Sequence, residues 1–328
     1  MLDEPFVVSG VTAGVHDPGE RPLHHPAAGQ DDEPGEGADN EGGKDYFRET
    51  DYKEDLGDSE VLNKCHRSKQ AWIRQATLPG RSQSIGTISD DYGNVDLSFI
   101  ACSGARTYNI WTGGKNQWDS LPQMDLGYLD QNTDIVTIAV GGNDSLFTDV
   151  FNECVWKAGL SLCQNTEIEK RNPDTGDKTG EMTGPLKDFM PTWLANQVKP
   201  RIVKVLNEIK TLAPQAKIYL VGYPPLLSGN GHCIPGIGTE EAPWLNDEVA
   251  PKLSQEMKAA ATSVGATFVD PAPDFQSKAI CGDPESIHGI VTDGRSEADN
   301  DAPNPSMKPF HPKISGARLY ANALERAL

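Results

Sequence analysis

Three short segments carry side chains that can move protons or meet negative charge. Phe99-Ile100-Ala101-Cys102-Ser103-Gly104-Ala105 closes on a serine–glycine pair. Ala139-Val140-Gly141-Gly142-Asn143-Asp144 closes on an amide and a carboxylate, and Pro309-Phe310-His311-Pro312 holds an imidazole just ahead of a helical stretch. Imidazole is the side chain best suited to take and return a proton near neutral pH. A glycine N–H and an asparagine amide are donors of the kind that stabilise a developing oxyanion. Each residue also has a plainer role open to it: a capping or surface histidine, a turn glycine, an Asx turn. Asn143-Asp144-Ser145 matches a glycosylation sequon as well, which an asparagine shielded in a site would not use. Other chemistries find no motif. Gly236-Ile237-Gly238 does not continue as a dinucleotide fingerprint, no GxxxxGK[ST] occurs, and the six cysteines include no CxxC pair. The expectation is therefore a site with no metal and no organic cofactor.

Positioning such groups requires rigid strand ends. Short apolar runs closed by turn residues occur at Leu97–Ala101, Asp134–Val140, Lys217–Val221 and Ala266–Val269, the pattern of buried parallel strands. Helical spacing lies between them, strongest at 192–212 and weaker at 244–264 and 314–327. Strands alternating with helices predict a central parallel sheet covered on both faces, with ligands bound at the strands' carboxyl ends. The first strand has one candidate, Pro5-Phe6-Val7-Val8. The polar segment 164–184, with Asn172-Pro173-Asp174-Thr175-Gly176, reads as a long surface loop.

Taken in order, Cys-His-Arg-Ser at 65–68, Ala-Cys-Ser-Gly-Ala at 101–105, Gly-Gly-Asn-Asp at 141–144, Gly-Tyr-Pro at 222–224 and Phe-His-Pro at 310–312 resemble the blocks of the SGNH (GDSL-like) hydrolases. The likeness is to their secreted esterase and lipase branch from actinobacteria and fungi, and it covers the chain from about Cys65 to the end. It implies one three-layer α/β/α flavodoxin-like domain spanning residues 1–328, and hydrolysis of carboxylic esters through an acyl-enzyme. It also implies roles: His311 as base, Gly104 N–H and the Asn143 amide as the oxyanion hole. Many relatives place an aspartate three residues before the histidine. Here Lys308 stands there, so its backbone carbonyl is the expected orienter of the imidazole, with Asp301 as the alternative. The resemblance further implies disulfides between sequential neighbours, Cys65–Cys102, Cys154–Cys163 and Cys233–Cys281.

The nucleophile departs from the family pattern. Val8-Ser9-Gly10-Val11-Thr12-Ala13-Gly14 keeps the flank of a Gly-Asp-Ser block after the candidate first strand, but Gly10 fills the serine slot and Ser9 the aspartate slot. The literal triplet Gly57-Asp58-Ser59 follows Lys53-Glu54-Asp55 and has no apolar strand before it. A nucleophilic serine needs a rigid strand-to-helix turn to present its oxygen, so Ser9 is the expected nucleophile and Ser59 the competitor. A chain with neither would be an inactive SGNH fold acting as a binding or surface protein.

Bulk composition agrees with this picture. Residues 16–60 carry fifteen Asp or Glu against four Lys or Arg, too polar to offset the entropy of ordering, and are expected to form a disordered acidic insertion. The net charge of −19 argues against nucleic acid or an anionic membrane as partner, and no apolar run is long enough to span a bilayer. An even cysteine number without metal spacing suits an oxidising compartment and secretion, although Met1-Leu2-Asp3-Glu4 does not open a signal peptide. A monomer acting on a small-molecule or lipid ester is the expectation.

Overall fold

The computed structural model describes residues 8–13, 70–91, 95–117, 120–156, 162–229, 233–234, 237–289, 292–293, 304–305 and 310–328. The acidic segment 16–60, Ser59, Cys65, Asp301 and Lys308 lie outside these residues. The protein is a three-layer α/β/α domain around one sheet. Its strands are β1 (Val8–Ala13), β2 (Ser98–Phe99), β3 (Cys102–Ser103), β4 (Ile135–Ala139), β7 (Lys217–Val221) and β8 (Thr267–Val269), in the order β2-β1-β4-β7-β8 with β3 paired to β1. Between β4 and β7 a separate two-stranded hairpin is built from β5 (Glu169–Arg171) and β6 (Lys178–Met182).

β4, β7 and β8 are parallel, with Val136 beside Ile218 and Leu220 beside Phe268. They are buried because helices cover the sheet: Val136, Ile138, Leu220 and Val221 have no solvent exposure, which is why these strands read as continuous apolar runs. β1 departs from the expected all-parallel arrangement. It runs antiparallel to β2, β3 and β4. It also begins where the sequence expectation ended, at Val8, and continues through Ser9 and Gly10 to Ala13; residues 5–7 lie outside the described residues.

The helices follow in chain order: α1 (Trp72–Gln75), α2 (Ile85–Asp90), α3 (Phe147–Trp156), α4 (Leu186–Trp193), α5 (Lys199–Leu212), α6 (Glu241–Pro243), α7 (Ala250–Val264) and α8 (Ile314–Glu325). The helix expected over 192–212 starts earlier, at Leu186. A π-helical stretch, Leu194–Val198, joins α4 to α5, so Pro191 and Pro200 are absorbed without ending it. Pro200 lies in the first turn of α5, directly after the π-helical stretch, a setting in which a missing N–H costs least, whereas Pro191 lies inside α4. Ile202, Val205, Leu206 and Ile209 form the fully buried stripe of α5, and Gly265 in a left-handed conformation ends α7.

The segment 164–184 is not an unstructured loop. Asn172 to Gly176 makes the turn of the β5–β6 hairpin, with Gly176 N–H donating to Asn172 O at 2.8 Å. The hairpin is pinned from three sides: Arg171 grips Asp149 of α3 with two nitrogens at 2.6 and 2.8 Å, Arg201 of α5 reaches Asp174 at 2.7 Å, and Lys115 Nζ donates to Thr175 O at 2.8 Å. Because β6 is exposed along its whole length, the segment's polarity reflects a solvated hairpin rather than missing structure.

Candidate active site

The loop leaving β4 is shaped by two glycines and two aromatic residues. At Gly141 φ is +111°, and a Cβ there would lie 2.8 Å from Ile202 Cδ1. At Gly142 a Cβ would meet the Tyr223 ring at 2.9 Å, and the Gly142 N–H instead donates to Tyr223 Oη at 3.1 Å. Side chains at either position would push the loop off α5 and off the segment after β7. Trp193 Nε1 donates to Asp144 O at 2.8 Å, fixing the far side of the turn.

These constraints hold Asn143 with 2% exposure. Its Nδ2 donates to Ala105 O at 3.1 Å. An amide has two N–H groups, so this bond sets the direction of the second while tying the Asn143 loop to the Gly104-Ala105 turn. Gly104 itself has φ +74°, a conformation that glycine adopts without a Cβ penalty. The sequon asparagine is thus enclosed, as the sequence reading required.

Asp144 braces the same two loops. Its carboxylate accepts from Thr107 N at 3.1 Å and from Thr107 Oγ1 at 2.5 Å. Burial is the largest influence on it and raises its pKa above the ordinary carboxylate value, against the lowering effect of the Thr107 bonds and the nearby Arg106 charge. Thr107 and Trp193 were not singled out from the sequence. Thr107 sits two residues past the second block and could have been suspected on that ground, whereas Trp193 carries only a core signal.

His311 is 2% exposed, and the chain around it is clamped by a short backbone ladder. Phe310 N–H donates to His288 O at 2.8 Å, His288 N–H to His311 O at 2.9 Å, and Lys313 N–H to Ser286 O at 2.9 Å. Gly316 lets α8 close on this ladder, since a Cβ there would lie 2.1 Å from Ser286 O. Phe310 has φ +67° and packs on Phe151 with ring centroids 4.1 Å apart and on Phe147 at 6.3 Å. Both rings belong to α3, the helix that begins four residues after Asn143. The histidine segment is therefore docked on the helix that the Asn143 loop feeds.

The register of β1 puts Gly10 opposite Ala139, the last residue of β4, and Ser9 opposite Cys102. Because β1 is antiparallel, its amino end, with Ser9, lies at the carboxyl end of β4. Two disulfides lie among the described residues, Cys154–Cys163 and Cys233–Cys281. Cys102 is also disulfide-bonded, and Cys65 lies outside the described residues. No cluster of three potential metal ligands occurs among the described residues.

Against known proteins, the model of the GDSL-like Lipase/Acylhydrolase family matches residues 56–319. An esterase of Streptomyces scabiei is 25% identical over 270 residues, 75% of each chain. Lipase 1 of Streptomyces coelicolor is 25% identical over 194 residues, 59% of this chain and 60% of that one. In three dimensions, phospholipase A1 from Streptomyces albidoflavus superposes with a TM-score of 0.56 at 20% identity, covering 81% of this chain and 89% of the other. The extracellular lipase of Streptomyces rimosus gives the same TM-score at 19% identity. At these identities the two structures speak to the fold.

Proposed function

The chain belongs to the GDSL-like lipase/acylhydrolase family, and from that premise we propose that it is a secreted hydrolase of carboxylic esters working through a serine acyl-enzyme. The observation that carries this reading is the bond from Asn143 Nδ2 to Ala105 O. It holds a side-chain amide next to the left-handed turn at Gly104, which is the pairing of donors an oxyanion requires. In this mechanism a serine oxygen attacks the ester carbonyl as His311 takes its proton. Gly104 N–H and the side-chain amide of Asn143 meet the oxyanion. His311 then returns the proton to the leaving alcohol, and water, activated by the same imidazole, releases the acid. The backbone carbonyl of Lys308 is proposed to hold the imidazole tautomer. Disulfides on three structural segments support export to an oxidising compartment.

Two serines compete for the attack. Ser9 is supported by its register beside Cys102 at the carboxyl end of β4. Ser59 is supported by the extent of the family match, which opens at residue 56, one residue ahead of Gly57-Asp58-Ser59, and leaves Ser9 outside. A fluorophosphonate probe separates them, because only an activated serine reacts quickly. Labelling mapped by mass spectrometry to Ser9 or to Ser59, and abolished by His311→Ala, assigns the nucleophile. Absence of labelling at either serine of the unmodified chain would remove the hydrolase reading and leave an inactive fold that binds its ligand.

A further inference from the structure

We propose that Arg171 is a positioning residue of the oxyanion site: its guanidinium, in the β5–β6 hairpin, ties together the two chain segments that bring Gly104 and Asn143 side by side. The proposal rests on the ester-hydrolase reading above and adds to it a residue that acts through others. The contacts form a closed ring. On one side, Arg171 Nε and Nη2 donate to the Asp149 carboxylate of α3 at 2.6 and 2.8 Å, and α3 is the helix that the Asn143 loop feeds. On the other, Arg171 Nη1 donates to Gly176 O in the hairpin turn at 3.0 Å. From that turn Thr175 O accepts from Lys115 Nζ at 2.8 Å, Lys115 O accepts from Asn109 Nδ2 at 3.0 Å, and Asn109 Oδ1 accepts from Arg106 N–H at 3.0 Å. Arg106 follows Ala105, whose carbonyl takes the Asn143 amide at 3.1 Å and closes the ring. The turn also presses directly on this segment, since at Gly176 φ is +76° and a Cβ would lie 2.2 Å from Tyr108 Oη.

The backbone between Asn143 and α3 shows what such a grip does. Leu146 stands there in the left-handed region at φ +62°, a conformation that a non-glycine residue keeps only where the structure on both sides imposes it. Asp144, bonded to Thr107, holds one side. Arg171 on Asp149 holds the other. With α3 released, Leu146 relaxes and the turn that aims the Asn143 amide loosens with it. A planar fork suits this task, because its donors can hold a carboxylate and a carbonyl at once in fixed geometry, which a single ammonium on a flexible stem does not. The Arg171 and Asp149 side chains are each 17% exposed, so salt screens this pair less than an ordinary surface pair. The hairpin's other ion pairs, Lys170–Glu181 and Lys178–Glu169, join one strand to the other and leave both segments untouched.

The test follows the Asn143 side-chain amide by NMR in the full, isotope-labelled chain, with Asn143→Asp identifying its resonances. Hydrogen exchange of that amide reports the bond to Ala105 O and requires no turnover. Arg171→Ala should accelerate the exchange about fivefold, the scale of one ordinary hydrogen bond. It should also lower kcat about tenfold at unchanged KM for any ester turned over, a fraction of what loss of a whole oxyanion donor costs. Arg171→Lys, which keeps the charge and loses the fork, should behave like the alanine variant. Asp149→Asn should shift both readouts less and in the same direction, and serves alone if the Arg171 variants do not fold. Lys170→Ala should change neither. An Asn143 amide indifferent to Arg171→Ala, full recovery in Arg171→Lys, or an equal change in Lys170→Ala would overturn the proposal. Accelerated exchange in Arg171→Ala, with no ester hydrolysed by the parent chain, would remove the catalytic reading and leave the clamp standing.

Discussion

The left-handed backbone at Phe310 can be isolated by comparing two variants that both remove the ring. Phe310→Gly and Phe310→Ala lose the same contacts with Phe151 and Phe147, so the packing loss cancels between them. What differs is the backbone. An L-residue at φ +67° bears about 1–2 kcal/mol of steric cost that glycine does not. At an ordinary strand or helix position glycine is instead the poorer residue, by roughly 0.5–1 kcal/mol, because its unfolded chain is freer. The two effects oppose, and the first is larger. Phe310→Gly should therefore be more stable than Phe310→Ala by about 0.5–1 kcal/mol, a reversal of the usual order. Both should fall below the parent by about 2 kcal/mol, around half the cost of removing a fully buried phenylalanine, since Phe310 is partly exposed. Urea unfolding, with the slope checked for constancy, measures the difference. Equal stabilities, or the alanine variant being the more stable, would show that residue 310 is not held left-handed and that the His311 segment is docked by some other means.

Three further outcomes are expected. Removing the Cys233–Cys281 bridge, which spans 48 residues, should cost about 4 kcal/mol, and removing Cys154–Cys163, which spans 9, about 2.5 kcal/mol; denaturant midpoints of the two double-alanine variants give the order. Tyr223→Phe removes the acceptor of the Gly142 N–H and should cost about 1 kcal/mol while lowering kcat for any ester turned over, because that N–H belongs to the loop that aims Asn143. Burial raises the Asp144 pKa, so the folded chain holds that proton to higher pH than the unfolded one. Its contribution to stability is then full at pH below the unfolded value near 3.8 and is lost as pH rises through the raised folded value. Asp144→Asn should flatten the fall in stability as pH rises above the unfolded carboxylate range, and an unchanged slope would refute the assignment.

What the sequence made legible was what rests on local pattern. Lys217–Val221 is a strand with the same limits in the chain and in the structure, because its buried run Ile218–Val221 is bounded by an exposed lysine on one side and by Gly222 ahead of Pro224 on the other. The segments around Gly104, Asn143 and His311 stood out because each lies just after a strand or just before a helix and carries a proton-moving or hydrogen-bond-donating group. The β5–β6 hairpin was missed because its strands are solvated and its stability comes from charges at a distance, Asp149 with Arg171 and Asp174 with Arg201, which leave no periodic trace. The ring cluster was missed for a similar reason. Phe147 and Phe151 read as an ordinary apolar helix face, and their partner Phe310 lies far along the chain.

The direction of β1 bears most on what remains of the mechanism. A strand closed by a turn would leave its final residues at the carboxyl end of a parallel sheet, where a nucleophile is wanted. Here the strand continues past Ser9 to Ala13, whose partner is Val136 near the start of β4. The carboxyl end of β1 at Ala13 therefore points away from Gly141-Gly142-Asn143. Ser9 reaches the correct side only because the strand is reversed, and it does so as a strand residue paired with Cys102, without the sharp turn that activates a serine by exposing it. This divides the consequences of repairing the block. If β1 keeps its direction, Ser9→Asp with Gly10→Ser moves the hydroxyl one residue down the strand and to the opposite face of the sheet, away from wherever residue 9 now points. Gain of fluorophosphonate labelling in that variant therefore requires β1 to pair parallel to β4, with the restored serine at its carboxyl end. Amide exchange on Val11 and Ala13 with and without the two substitutions reports whether the pairing has changed; labelling gained with an unaltered exchange pattern would refute this account of how the sheet positions its nucleophile.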